Sequence, residues 1–423
     1  MTKRTNLIAI FALAAFFLTG IVPTLAGGGW SAYLFESTSG ELLRVYQDGT
    51  QESHNIGLGE NQFISSRDIA FNADASRAAY CVTTYPPGTA ENPGQPFSTF
   101  YLRDLAAETN ILEVEFGSAI GCRTDSQSFN DDYSQIAVSV VNYFPGDPAA
   151  DTSKPVWQIQ VLDTASGNVV NEINSNSPAV ATNGLITDAP VLPDVNAFDG
   201  SQIVFAEVPY GIGGTPTVNA YRWQISDGTL TPEPDGAYNH FSVDHLEATG
   251  ESIWAALDPG LPAAAPDGPI GQFNVVKIAD ATGEQRNIYH NAEWTPITAK
   301  FIDDGQRIAI LLFPAYDPNL PVGAQPSKWV ALDRSGNVTD LQTDLEYSDV
   351  APAPGGYAFL RTRLPQTENE MVRTSLEYYS NSTGMAELWS AEGATIWEIA
   401  WSGPMSTLDN LPPFPTFVSA SNG

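Results

Sequence analysis

Four histidines, two cysteines and a surplus of carboxylates are the residues of this chain whose types could carry chemistry, and their spacing decides how much. His54, His240, His245 and His290 are irregularly placed, and none forms the tight ligand pair that holds a zinc ion. No metal site and no cofactor are therefore expected, with a structural cation of unassigned ligands left open. Asp68, Asp125, Asp188, Asp244, Asp349 and Glu398 fall near the starts of apolar runs and could line a channel. They share no equivalent position, so hydration of a channel accounts for them better than a bound hard cation does. No G-x-S-x-G, no EF-hand loop and no recognisable Ser/His/Asp or Cys/His set is present. Paired carboxylates carry no signal in a chain with 49 Asp and Glu. Cys81 and Cys122 permit one pairing; a disulfide is expected in an exported chain, the alternative being two buried thiols.

A second set of residues could bind rather than react. Tyr85, Tyr143 with Phe144, Tyr210 and Tyr316 lie in Pro/Gly-rich insertions at 84–97, 143–155, 209–218 and 313–326, and two further insertions run over 258–271 and 364–372. Aromatic rings around a polar mouth suit sugar stacking or a protein contact. The competing reading is that they pack the loops onto the elements below.

Those elements are repetitive. A tight polar turn followed by an apolar strand recurs as FNADASRAAY (71–80), FNDDYSQIAV (129–138), NAFDGSQIVF (196–205), LEATGESIWA (246–255), FIDDGQRIAI (301–310) and APAPGGYAFL (351–360), at intervals of about 55 residues. Asp, Asn and Gly supply the local hydrogen bonds and positive φ of a tight hairpin. The strand that follows is apolar on both faces, as in Arg307 to Phe313. An antiparallel strand with one wet face alternates; one buried on both faces does not. Sheets packed face to face around an axis give that double burial. A third, more alternating strand follows, as in Val156 to Asp163 and Phe273 to Asp280, and a Ser/Thr-Gly turn after it.

These residues resemble the Asp-Gly type WD-like repeats of TolB-family proteins and of the propellers attached to some prolyl peptidases. The resemblance covers nearly the whole chain after the leader. It implies an all-β fold: a seven-bladed β-propeller of four-stranded antiparallel blades. Ser31 to Gly57 looks like strands two, three and four of a blade, and Ile396 to Gly403 like its missing first strand, so one blade would be closed 3+1 by both ends of the chain. The α/β domain that precedes the propeller in TolB proteins is absent, as is any hydrolase domain. In up-down strand order, connections between second and third strands all leave one end of the ring. The six insertions fall on those connections, so one end is expected to be plain and the other loop-rich.

Composition bounds the rest. Residues 1–26 read as a secretory signal, with Lys3 and Arg4 before an apolar core from Leu7 to Val22 and a small-residue site at Thr24-Leu25-Ala26. Residues 27–404 read as a single propeller and 405–423 as a Pro-rich tail running over the surface. Against 49 acids stand 18 Lys and Arg, a net charge of -31, and this field repels phosphate backbones and anionic lipid headgroups. Nucleic acid and direct membrane-surface binding are thus excluded as partners. The expected location is extracellular or periplasmic. Asn337-Val-Thr and Asn381-Ser-Thr are glycosylation sequons, meaningful where the source glycosylates exported proteins. The expected function is a secreted, non-enzymatic module that binds an exported protein or a cell-surface polysaccharide through its loop-rich face. The alternative is an extracellular polysaccharide lyase or hydrolase with its site at the channel mouth.

Overall fold

The computed structural model describes residues 29–417 apart from 65–67, 89–93, 143–152, 189–190, 210–219, 233–243, 247, 263–272, 315–318, 320–326, 343–346, 364–369, 394–396, 406 and 409. The proposed leader, residues 89–93 of the first long insertion and most of each of the other five lie outside the described residues. What remains forms seven antiparallel sheets arranged in a ring, a seven-bladed β-propeller.

Blade 1 contains both ends of the chain. Its inner strand, Trp397–Ser402, pairs antiparallel with Ser31–Glu36, which is followed by Glu41–Tyr46 and Gln51–Asn55. The 3+1 closure expected from the sequence is therefore present. Blade 2 departs from the four-strand expectation. Its second strand, Arg77–Thr84, takes two inner partners, Gln62–Phe63 and Ile69–Phe71, before Phe97–Asp104 and Thr109–Ser118 complete it. Blade 3 runs Gly121–Arg123, Gln135–Val141, Trp157–Asp163 and Val169–Asn174; blade 4 runs Val191–Phe198, Gln202–Pro209, Ala220–Gln224 and Leu230–Pro232. Blade 5 comprises Asp244–Leu246, Glu251–Ala256, Val275–Ala279 and Gln285–His290. Blade 6 comprises Trp294–Ile302, Arg307–Pro314, Lys328–Asp333 and Val338–Gln342, and blade 7 Tyr347–Ala353, Gly356–Arg363, Arg373–Ser380 and Gly384–Glu392. A short helix, Pro178–Thr182, sits between blades 3 and 4 and buries Val180; nothing in the sequence pattern pointed to it.

The core lies in the seams between blades, and this explains the unalternating second strands. Ile308, Ile310 and Leu312 pack into the seam with blade 5, whereas Ala309 packs toward Trp329, Val350 and Phe359 in the seam with blade 7. In blade 2, Ala78, Tyr80 and Val82 face blade 1, and Ala79 and Cys81 face blade 3. Each of the fully buried Ile and Leu side chains among these contributes roughly 1.5–3 kcal/mol. At the plain end, side chains close the turns. Asp74 Oδ1 accepts the Ser76 backbone N–H at 3.0 Å, and Asp132 Oδ1 accepts that of Ser134 at 2.9 Å. Ala75 (φ 51°) and Tyr133 (φ 59°) hold the left-handed position there without being glycine. Gly356 has no such latitude, since a Cβ would lie 1.7 Å from the Tyr379 carbonyl oxygen.

The C-terminal segment was expected simply to run over the surface. It does leave blade 1 across the plain end, where the Leu408 N–H reaches the Asp304 carbonyl at 3.4 Å. It then buries Phe414 (1% exposed) in the seam between blades 5 and 6, 6.5 Å from the Phe301 ring and under the Arg334 guanidinium at 4.2 Å. Arg334 also donates to the Pro412 carbonyl at 2.6 Å, and the Phe417 N–H donates to Asn287 O at 2.8 Å on the outer strand of blade 5. The reason is hydrophobic: Leu411 and Phe414 are apolar residues among prolines, and the seam offers them cover.

Candidate functional site

The second strands all end, and the third strands begin, at the loop-bearing end, so candidates are best judged by where they stand relative to it. Tyr85 directly follows Arg77–Thr84. Its N–H donates to Asn61 O at 2.9 Å, which prolongs the Gln62–Phe63 pairing by one residue, and Gln62 Nε2 donates to Thr84 Oγ1 at 3.2 Å. Phe63 lies opposite Thr83, and strand alternation puts Phe63, Thr83 and Tyr85 on one face. Phe63 and Tyr85 are then diagonal neighbours, about 7–8 Å apart at the backbone. Both are half exposed, Phe63 at 54% and Tyr85 at 49%. Two half-exposed aromatic residues on one face of a backbone-paired ribbon stand in a position suited to contact.

That pair has a rigid foundation. Cys81 shares the face of Thr83 and Tyr85 and is joined to Cys122 of blade 3 in a disulfide, with Cα atoms 5.8 Å apart. The expected pairing is present and ties two neighbouring blades together beneath Tyr85. Of the other aromatic candidates, Tyr143, Phe144, Tyr210 and Tyr316 lie outside the described residues. Phe63 was missed by sequence reasoning because it precedes the blade repeat and no periodicity marks it. Its one signal was its isolation as an aromatic residue in the polar run Glu60-Asn61-Gln62.

The inner-strand acids Asp68, Asp125, Asp244 and Asp349, expected beside a channel, each join adjacent blades. Arg123 Nε is 2.7 Å from Asp68 of blade 2, and its Nη2 is 2.9 Å from Asp125 and 3.2 Å from Asp194 of blade 4. Asp125 Oδ2 accepts the Val195 N–H at 3.1 Å. Burial works against the Arg123 charge, but Asp125, Asp194 and Asp68 outweigh it and hold its pKa above the ordinary value. Burial pushes the Asp194 carboxyl well up, although Arg123 draws it down. Asp244 accepts the Phe301 N–H of blade 6 at 2.7 Å and is likewise raised, by burial first. Lys300 of blade 6 pairs with Asp349 of blade 7 at 3.2 Å. The register of inner strands explains this: an acid beside a seam meets the neighbour's N–H groups and cations before it meets water. Asp188 is exposed and Glu398 half buried, so neither belongs to the Arg123 group.

The three described histidines do not converge. The His54 ring lies tilted against Tyr33 at 6.0 Å, His245 Nδ1 contacts Ser252 Oγ at 3.0 Å, and His290 Nδ1 contacts Asn274 O at 2.8 Å with Phe417 against its ring. His240 lies outside the described residues. Among the described residues, no group of three or more His, Cys, Asp or Glu is arranged to hold a metal ion.

No protein-family model matches the sequence, and no curated protein matches it. Solved structures do. TolB from Acinetobacter baumannii aligns over 87% of this chain and 66% of its own, at 15% identity and a TM-score of 0.37. The acylaminoacyl peptidase of Pyrococcus horikoshii aligns over 85% and 52%, at 13% identity and a TM-score of 0.44. The β-propeller domain of the Trilobed protease from Pyrococcus furiosus aligns over 85% and 98%, at 13% identity and 0.42. The likeness is one of fold. This chain spans about half the length of the peptidase and just under two thirds of TolB.

Proposed function

We propose that the chain is an exported binding module that holds a surface polysaccharide at the loop-bearing end of its ring. The observation that carries this reading is the half-exposed pair Phe63 and Tyr85, mounted on a backbone-paired ribbon above the Cys81–Cys122 bridge. Paired aromatic faces stack on the apolar faces of pyranose rings. A rigid mounting lowers the entropy lost on binding. The insertions carrying Tyr143, Phe144, Tyr210 and Tyr316 belong in sequence to the same second-to-third connections. Export is supported by the disulfide, which suits an oxidising compartment, and by the basic-then-apolar leader. The field of a chain with net charge -31 favours neutral or sparsely charged ligands over polyanions.

The test is a glycan panel with wild type and the Phe63→Ser/Tyr85→Ala double variant. Because both side chains are exposed, the variant should melt within a few degrees of wild type while its affinity falls by about tenfold or more, equivalent to about 1.4 kcal/mol. Undiminished glycan binding by the double variant, or capture of only an exported protein partner by wild type, overturns the reading.

A further inference from the structure

We propose that Thr124, flanked by Cys122 and Arg123, is a positioning residue that sets the pair Phe63 and Tyr85 from the neighbouring blade. The consequence for binding rests on the glycan reading above, whereas the placement rests on contacts within the fold. The inner side of blade 2 is interrupted. Phe63 stands opposite Thr83 and Ile69 opposite Tyr80, so five residues intervene on the inner side against two, Cys81 and Val82, on the second strand. A piece as short as Gln62–Phe63 is held by few ladder bonds, and a slip of one residue would turn Phe63 to the other face.

Blade 3 meets that interruption with three consecutive residues. Cys122 is bonded to Cys81, Arg123 Nε lies 2.7 Å from the Asp68 carboxylate, and the Thr124 hydroxyl donates to the carbonyls of both Asp68 and Ala79. Thr124 is fully buried, and its branched Cβ restricts χ1, so the hydroxyl is aimed at the place where the two pieces of blade 2 part. Ala79 and Cys81 lie on the Arg77–Thr84 strand, which continues unbroken to Thr83 and Tyr85. What grips Ala79 and Cys81 therefore grips the mounting of both aromatic residues. Ile64, 1% exposed, fixes the other flank by packing into the seam with blade 1. Arg123 also serves Asp125 and Asp194, so its loss disturbs three blades. The Thr124 hydroxyl bonds go to blade 2 alone, which makes Thr124 the residue that separates positioning from general stability.

The experiment is hydrogen exchange of the full chain, read at the Tyr85 amide, which donates to Asn61 O only while the ribbon is paired. Wild type is compared with Thr124→Val and Thr124→Ser, and the blade 6 strand Arg307–Pro314 serves as reference. Without the hydroxyl two buried carbonyls lose a donor, so Thr124→Val should lower Tyr85 protection by about tenfold or more and leave the reference strand within about twofold. Thr124→Ser should restore the protection. The same proteins are titrated with cellohexaose, xylohexaose and mannohexaose; whichever of these wild type binds should bind Thr124→Val about tenfold more weakly. Unchanged Tyr85 protection, an equal loss in blade 6 or undiminished affinity in Thr124→Val overturns the inference. Wild type that binds none of the three counts against the glycan reading alone, and the exchange readout still decides the positioning. Should Thr124→Val fail to fold, wild-type exchange in rising sub-denaturing urea decides: residues 121–124 and Tyr85 should open in one step, and Tyr85 opening well before them overturns the proposal.

Discussion

At the scale of single residues, Arg123 and Asp194 carry opposite liabilities within one buried group. Removing the guanidinium leaves Asp68, Asp125 and Asp194 facing one another without a cation, and breaking a buried pair in this way costs about 3–5 kcal/mol. Arg123→Met should therefore unfold at markedly lower urea. Asp194→Asn should be nearly neutral at acid pH and more stable than wild type at alkaline pH. The sign follows from the raised Asp194 carboxyl. Its contribution is full below the ordinary carboxylate range, about pH 4, and is lost as pH rises through the folded value. Urea titrations of both variants and wild type at several pH values check this; an Asp194→Asn protein that loses as much as Arg123→Met would refute it. None of this was legible from the residues alone. Asp194 had no distinguishing neighbour in sequence, and Asp68 and Asp125 share a site only because three blades converge there.

At the scale of elements, the turns and the C-terminal strap behave differently under stress. The exposed turn carboxylates of Asp48, Asp132, Asp163, Asp227 and Asp280 are held below the ordinary range by hydrogen bonds from Thr50, Ser134, Ser166, Thr229 and Thr282. A lowered carboxyl stabilises above its unfolded pKa, and the contribution is lost as pH falls through the folded value. The melting temperature should accordingly drop below about pH 4 as these turns protonate together. A flat melting profile down through that range would count against the turn assignment. The repeat of these turns, and the doubly apolar strand after each, made the blades readable. The strap was not readable, because proline-rich composition signals a surface path and gives no hint that one side chain is inserted. Phe414→Ala should cost about 3–5 kcal/mol, as expected for an emptied aromatic site, measured by calorimetry. A loss below about 1 kcal/mol would show that the strap only rests on the seam.

For the whole molecule, the ring is closed once, in blade 1, and is cross-linked once more between neighbouring blades. Hydrogen bonds join Trp397–Ser402 to Ser31–Glu36, and a covalent bond joins blades 2 and 3. Cys81 and Cys122 are 41 residues apart, and a loop of that size removes roughly 4 kcal/mol of unfolded-state entropy on the chain-entropy estimate. Cys81→Ser with Cys122→Ser should lower stability by about 2–4 kcal/mol and also weaken glycan binding, since Tyr85 stands on the same strand face. Unchanged affinity alongside lowered stability would separate the aromatic pair from the bridge. The plan of the ring could be read from the chain because both its ends matched parts of one blade. The proposed binding surface could be read only in outline, since exposure of Phe63 depends on how an inner strand divides.

The strap has a mechanical corollary. Tension on the C-terminal segment meets Phe417 on blade 5 and Phe414 in its seam before it can reach Trp397–Ser402, so the two strands that complete the circle are shielded from peeling. A cell-surface tether drawn from that side would load two mid-ring sheets in shear and leave the join slack.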